Sequence, residues 1–159
     1  MTPLRPLALA ALVASLCATP LCAAPPTRAD AQKDPVLKAM LTELDRSMTH
    51  LQLKDFQKPF FIQYRVEDID DFETRAGFGA TQGSGLNHAR LARITVLVGD
   101  YKTDSSTPRG DGVAELAALD DDPVALRSAL WAATDQAYKA ALAAYAQKQA
   151  QLKQVQTPP

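Results

Sequence analysis

The stretch Leu91-Ala-Arg-Ile-Thr-Val-Leu-Val-Gly-Asp-Tyr101 decides the fold of this 159-residue chain. Ala92, Ile94, Val96 and Val98 share one face, Leu97 adds apolar surface to the other, and Gly99-Asp100 allows a bulge or bend before Tyr101. Apolar side chains at period two predict a strand laid against a core, running from Ala89 to Tyr101.

Upstream of it, Pro59 introduces a second such pattern. Phe60, Ile62, Tyr64 and Val66 point one way while Gln63, Arg65 and Glu67 point the other, as in an antiparallel strand with one wet face. Asp68–Asp71 reads as a solvated turn. Phe72, Thr74, Ala76 and Phe78 against Glu73 and Arg75 then read as a further strand, paired with the preceding one in a hairpin. Gly77, Gly79, Gly83 and Gly85 read as a strand end and a flexible crossing loop. A nucleotide-binding loop does not fit, because the third glycine of a G-x-G-x-x-G pattern would fall on Gln82 and no Gly-Lys-Ser/Thr is present.

Helices are expected on both sides of these strands. Asp34-Pro35 supplies a capping carboxylate followed by a proline whose missing amide would be unpaired anyway. Leu37, Met40, Leu41, Leu44, Met48 and Leu51 then recur at steps of three and four, predicting an amphipathic helix over Pro35 to Leu51. Past a Ser/Gly/Pro-containing loop from Lys102 to Glu115, Asp122-Pro123 repeats the same device. Leu126, Leu130, Ala133, Ala137, Ala141 and Ala144 form one stripe, and Trp131, Tyr138, Leu142, Tyr145 and Leu152 form another beside it. Trp131, the single tryptophan, and Tyr138 are expected in the core. A helix from Pro123 to Lys153 would run roughly 45 Å at 1.5 Å per residue, more than a small sheet can cover. Its end, Gln147 to Gln156, is expected to project, fray or pack on something outside the chain. The fold class is therefore α+β: an antiparallel sheet of about three or more strands with two flanking helices, order α-β-β-β-α, in a single domain over 34–155 with a tail at 156–159.

The first residues belong to a different kind of segment. Arg5 provides a positive start, Leu7 to Leu16 an apolar run, and Cys22-Ala23-Ala24 small residues, the three parts of a secretory signal peptide over 1–24. The apolar run is far short of the ~20 residues that cross a bilayer. A disordered leader is expected at 25–33. Cys17 and Cys22 follow leucines rather than the small residues of a lipoprotein signal, and both would leave with the leader. The mature chain then has no disulfide, no cysteine-based metal site, and a periplasmic or secreted location. Removing Arg5 takes 17 basic residues to 16 against 18 acidic ones, a net charge of −2. That surface argues against nucleic acid as a partner, and cleavage leaves no membrane anchor.

Sites of chemistry are sparse. His50, near the end of the first helix, and His88, placed in the loop before the third strand, have no histidine or cysteine at ligand spacing. Asp120, Asp121 and Asp122 read as a helix cap and Asp68, Asp70 and Asp71 as a turn, since calcium loops need spaced oxygen ligands around a glycine. Ser84, Ser105, Ser106 and Ser128 lie in no G-x-S-x-G elbow. No catalytic, cofactor-binding or metal residue is assigned, no cofactor is implied, and an enzymatic role is doubtful.

Four blocks of text carry a resemblance: Asp34-Pro-Val-Leu-Lys-Ala-Met40 with Glu43-Leu-Asp-Arg-Ser-Met48; Lys58-Pro-Phe-Phe-Ile-Gln-Tyr64; Arg93-Ile-Thr-Val-Leu-Val-Gly-Asp-Tyr-Lys102; and Leu119-Asp-Asp-Asp-Pro123 with Ala125-Leu-Arg-Ser-Ala-Leu-Trp-Ala-Ala-Thr-Asp-Gln-Ala-Tyr-Lys139. Together, over about Asp34 to Lys153, they resemble the N-terminal domain of exported proteins in the TldD/PmbA metallopeptidase family. The resemblance implies an α+β unit that helps build the walls and dimer contacts around a peptide-binding cavity. It also implies that the metal site, a His-Glu-x-x-x-His helix with a further cysteine, belongs to a later domain that no position here matches. The expectation is a truncated or split member acting with a catalytic subunit, or as a homo-oligomer. The alternative is a stand-alone periplasmic binding or interaction module that uses its sheet or the Lys102–Glu115 loop.

Overall fold

A computed structural model describes residues 27–107 and 112–156. The segment expected to be a signal peptide, with both cysteines, lies outside them, as do residues 157–159. The described elements are α1 (Arg28–Ala31), α2 (Pro35–His50), β1 (Phe61–Gly77), β2 (Ala80–Leu97), β3 (Val113–Ala117) and α3 (Pro123–Gln156). The strands form one antiparallel sheet in the order β1-β2-β3. The architecture is thus α+β, with a main helix before and another after three strands.

The strands are not the ones the pattern suggested. Asp68–Asp71 makes no turn, and β1 runs through it without a break. Parity explains why: Asp68 and Asp70 continue the face of Tyr64 and Val66, and they stand opposite Arg90 and His88 on β2, so each carboxylate meets a basic partner. The reversal comes later, at Phe78 (φ 51°) and Gly79 (φ 77°). Two consecutive positive φ values make the two-residue turn whose twist suits a hairpin. Gly83 and Gly85, expected in a crossing loop, are paired residues of β2 opposite Arg75 and Glu73. β3 likewise occupies part of the presumed Lys102–Glu115 loop. Its approach needs glycine: Gly112 has φ +113°, and a Cβ there would lie 2.4 Å from the Ile94 carbonyl oxygen.

The 25–33 leader also carries structure where it is described. Thr27 caps α1 with a reciprocal Thr27–Asp30 capping box, and the Arg28 guanidinium lies 2.7 Å from Asp45 on α2.

One face of the sheet packs under the helices. Ala92, Ile94 and Val96 from β2, with Val98 just past its end, meet Leu126, Leu130, Ala133, Ala137, Tyr138 and Ala141 from α3 in the buried core. α3 starts as the text suggests, with the Asp122 side chain accepting from the Val124 amide at 3.0 Å. α2 departs from expectation. The row buried on it is Ala39, Glu43 and Ser47, while Leu37 and Met48 of the leucine stripe are exposed. Ala39 and Ser47 are small enough to let α3 approach closely. Of the stripe, Met40, Leu44 and Leu51 are partly buried against the core as expected, and Leu37, Met40, Leu41 and Leu44 also line a groove of about 370 Å³ beside β1, with Ile62 and Tyr64.

Trp131 is a correction too. It is 53% exposed, with the Arg46 guanidinium 6.0 Å from its ring, rather than core. Tyr138 is fully buried as expected, its hydroxyl donating to the Gln57 carbonyl at 2.7 Å. The far part of α3 is tied down further than the text suggested. Lys148 Nζ donates to the Asp104 and Ser106 carbonyls at 2.8 and 3.3 Å, so exposure is continuous only from Ala150 to Val155.

Candidate interaction surface

Three features of the fold bear on function: a projecting ribbon, the clamp at its base, and an open sheet face. β1 and β2 pair continuously from Phe61↔Leu97 to Arg75↔Gly83, shift once, and finish at Gly77↔Ala80. β3 pairs with β2 only from Ile94 to Arg90. Beyond that limit residues 68–76 and 78–88 are exposed. Two strands therefore leave the body as a ribbon with no described layer on either side. Phe72 and Leu86 stand opposite each other on it, 67% and 72% exposed, and Phe78 at the tip is wholly exposed.

Arg90 fixes the ribbon to the body. It sits on the core-facing parity of β2 and is buried, so its charge demands partners. Nε and Nη2 donate to Asp68 Oδ1 and Oδ2 at 2.6 and 3.0 Å, a bidentate pair. Nη1 donates to the Ala118 carbonyl, the Asp120 carbonyl and Asp121 Oδ1 at 3.1, 3.3 and 3.1 Å. The hydrogen bond from Arg90 holds the Asp68 carboxyl below the usual range, and Asp68 in turn raises Arg90 further. One guanidinium thus joins β1, β2 and the turn into α3.

The sheet face turned away from the helices is the third feature, with no described element covering it. Along it, Phe61 and Leu97 form one apolar row, and Leu91 stands opposite Leu116, which is 73% exposed. Between these rows Arg65 and Arg93 are direct cross-strand partners. Glu67 bridges them, its Oε1 2.6 Å from Arg65 Nη2 and its Oε2 3.3 Å from Arg93 Nε. A shallow depression of about 240 Å³ lies there, lined by Gln63, both arginines and the start of β3.

A polar seam between the helices completes the picture. Glu43, 2% exposed, accepts from Arg46 at 2.6 Å and from Arg127 at 2.7 Å. Beside it the Tyr64 hydroxyl meets Ser47 and Thr134 at 3.2 and 2.8 Å. Among the described residues no buried side-chain polar atom lacks a partner, and the geometry of this seam is that of a lock between α2 and α3.

The residues weighed for chemistry from sequence scatter over this frame. His50 ends α2, exposed. His88 belongs to β2 rather than a loop, its Nδ1 hydrogen-bonded to Asp70 across the ladder. Of the acid triad, Asp122 caps α3 while Asp121 pairs with Arg90. Ser105 is buried and locks to Val98 through both backbone and hydroxyl. Among the described residues no group of three or more His, Cys, Asp or Glu side chains is placed to hold a metal ion. No described helix is long and apolar enough to cross a membrane.

Sequence reasoning passed over Arg90 and the Arg65–Arg93 pair. The signal was present for Arg90: an arginine two places before Ala92, Ile94 and Val96 in a period-two run must point inward. The arginine pair needed the hairpin register, which the misplaced turn hid. Compared with known proteins, the chain matches no protein-family model, no curated protein and no solved structure.

Proposed function

We propose that this chain is an exported, non-catalytic domain related to the N-terminal part of TldD/PmbA-like metallopeptidases, and that it works by associating with a catalytic partner. The four sequence blocks that resemble that family support the relationship. The observation that supports association is the ribbon. An isolated two-stranded hairpin is marginally stable in water, yet this one projects with Phe72, Leu86 and Phe78 exposed. Exposed apolar side chains gathered on a protruding element mark a surface used for contact.

The test is site-specific photo-crosslinking. A crosslinker placed at Phe72 or Phe78 in the mature chain, in its native host, should trap a protein bearing a His-Glu-x-x-x-His motif. Recovery of only uncrosslinked chain, or of partners without that motif, would sink the reading. Mass determination of the mature N-terminus checks export separately: loss of the first 24 or so residues is expected, by the three-part signal pattern.

A further inference from the structure

The sheet face opposite the helices carries its own information about what covers it. Its apolar rows, Phe61–Leu97 at one end and Leu91–Leu116 at the other, are separated along β1 by the Arg65–Arg93 pair. At about 3.3 Å per strand residue, the rows at Phe61 and Glu67 lie roughly 20 Å apart. That is the reach of three to four helical turns. Like charges directly opposite on a ladder repel, and here two guanidinium groups share the single Glu67 carboxylate. Arg65, Arg93 and Glu67 sum to +1 on a chain whose net charge is −1. The face is therefore an apolar surface with a cationic bar across its middle.

We propose that this face docks an amphipathic polypeptide segment of the partner whose apolar stripe is interrupted by a carboxylate, the carboxylate being received by Arg65 and Arg93. This rests on the reading of the chain as an interaction domain and specifies what it recognises. Charge complementarity selects the occupant. A second copy meeting this face with its own would bring arginine pair against arginine pair, so self-association through it is disfavoured. An apolar segment without an acid would leave two guanidinium groups covered and half neutralised, at a desolvation cost. Planar guanidinium forks side by side suit a carboxylate, and the flanking leucines and phenylalanine suit the side chains on either side of it. A helix laid there would also complete a layer on the face that has none.

The experiment uses the mature chain labelled with ¹⁵N and the probe peptide acetyl-Leu-Ser-Ala-Leu-Glu-Glu-Ser-Leu-Ala-Ser-Leu-amide, with a twin in which both glutamates are glutamine. The acidic peptide should shift the amides of Gln63–Glu67, Leu91–Thr95 and Leu116, bind about fivefold more tightly than its twin, and weaken as salt rises from about 20 to about 200 mM. R93Q or R65Q should erase the difference between the two peptides while leaving the fold, read from the rest of the spectrum, unchanged. Equal binding of the two peptides, shifts confined to other residues, or no binding of either would each overturn the proposal. So would inorganic phosphate binding as tightly as the acidic peptide, which would reduce the pair to a simple anion site. The crosslinking result at the ribbon is independent of this face, so one reading can fail while the other stands.

Discussion

The two halves of the β1–β2 ladder share one register as far as Arg75 and differ in almost everything that stabilises them. Near the body, Ile62↔Val96, Tyr64↔Ile94 and Val66↔Ala92 lie under the helices, and β3 flanks the last two. Farther out, Asp70↔His88, Phe72↔Leu86 and Thr74↔Ser84 have the same backbone pairing and stand in water. Hydrogen-bonded register is thus common to both, and burial is not. Turn geometry and cross-strand partners are enough to define a strand, whereas its resistance to opening comes from what covers it.

Substitutions should divide along the same line. The largest effect is expected in the near half and its cover: Tyr138→Ala or Ile94→Ala should lose about 3–5 kcal/mol in urea unfolding, because each empties a fully buried site. A loss below about 1 kcal/mol there would erase the contrast. Next comes the seam that holds the cover in place. Glu43→Ala leaves Arg46 and Arg127 facing a vacancy, and since both arginines reach solvent the cost should be about 1–3 kcal/mol rather than that of a fully buried pair.

Arg90 stands at the boundary between the halves. Arg90→Ala should cost about 2 kcal/mol and, more tellingly, raise hydrogen exchange of the ribbon amides more than those of the near half. It also has a pH signature. Arg90 depresses the Asp68 carboxyl, so the stabilisation is present above about pH 4 and disappears as pH falls through the lowered native value. The variant should therefore lose part of the steep fall in stability below about pH 4; an unchanged acid limb would mean the clamp is not coupled to folding. Smaller still should be Phe72→Ala, within about 1 kcal/mol. Phe78→Asn should be neutral or slightly stabilising, because asparagine tolerates the positive φ of the turn. If Phe72→Ala instead matches Ile94→Ala in cost, the ribbon is covered in solution and the comparison fails.

Much of the near half was legible in the text, for a reason particular to it. Ala92, Ile94, Val96 and Val98 face a single apolar environment, so period two stands out, and Asp34-Pro35 and Asp122-Pro123 announce their helices by side-chain chemistry that acts locally. The far half was not legible because its evidence is relational. Asp68 and Asp70 resemble a turn until Arg90 and His88 are known to lie opposite, and Phe78-Gly79 is an unusual pair for a tight reversal. Trp131 misled for a similar reason: it occupies a stripe position on α3, but α2 presents Arg46 there rather than an apolar side chain. The open face combined both difficulties, since Arg65 and Arg93 look like ordinary outward residues until the register sets them side by side.

The Glu43–Arg127 bond joins positions 84 residues apart. Its consequence lies in the order of events rather than in the final structure. The paired strands are aligned by a two-residue turn, while α2, which touches Tyr64 of β1 through Ser47, gains its bond to Arg127 only after α3 has been made. Loop closure over such a span is slow compared with local pairing. A chain emerging from its amino end therefore keeps that side of α2 uncovered until the start of α3 has followed it.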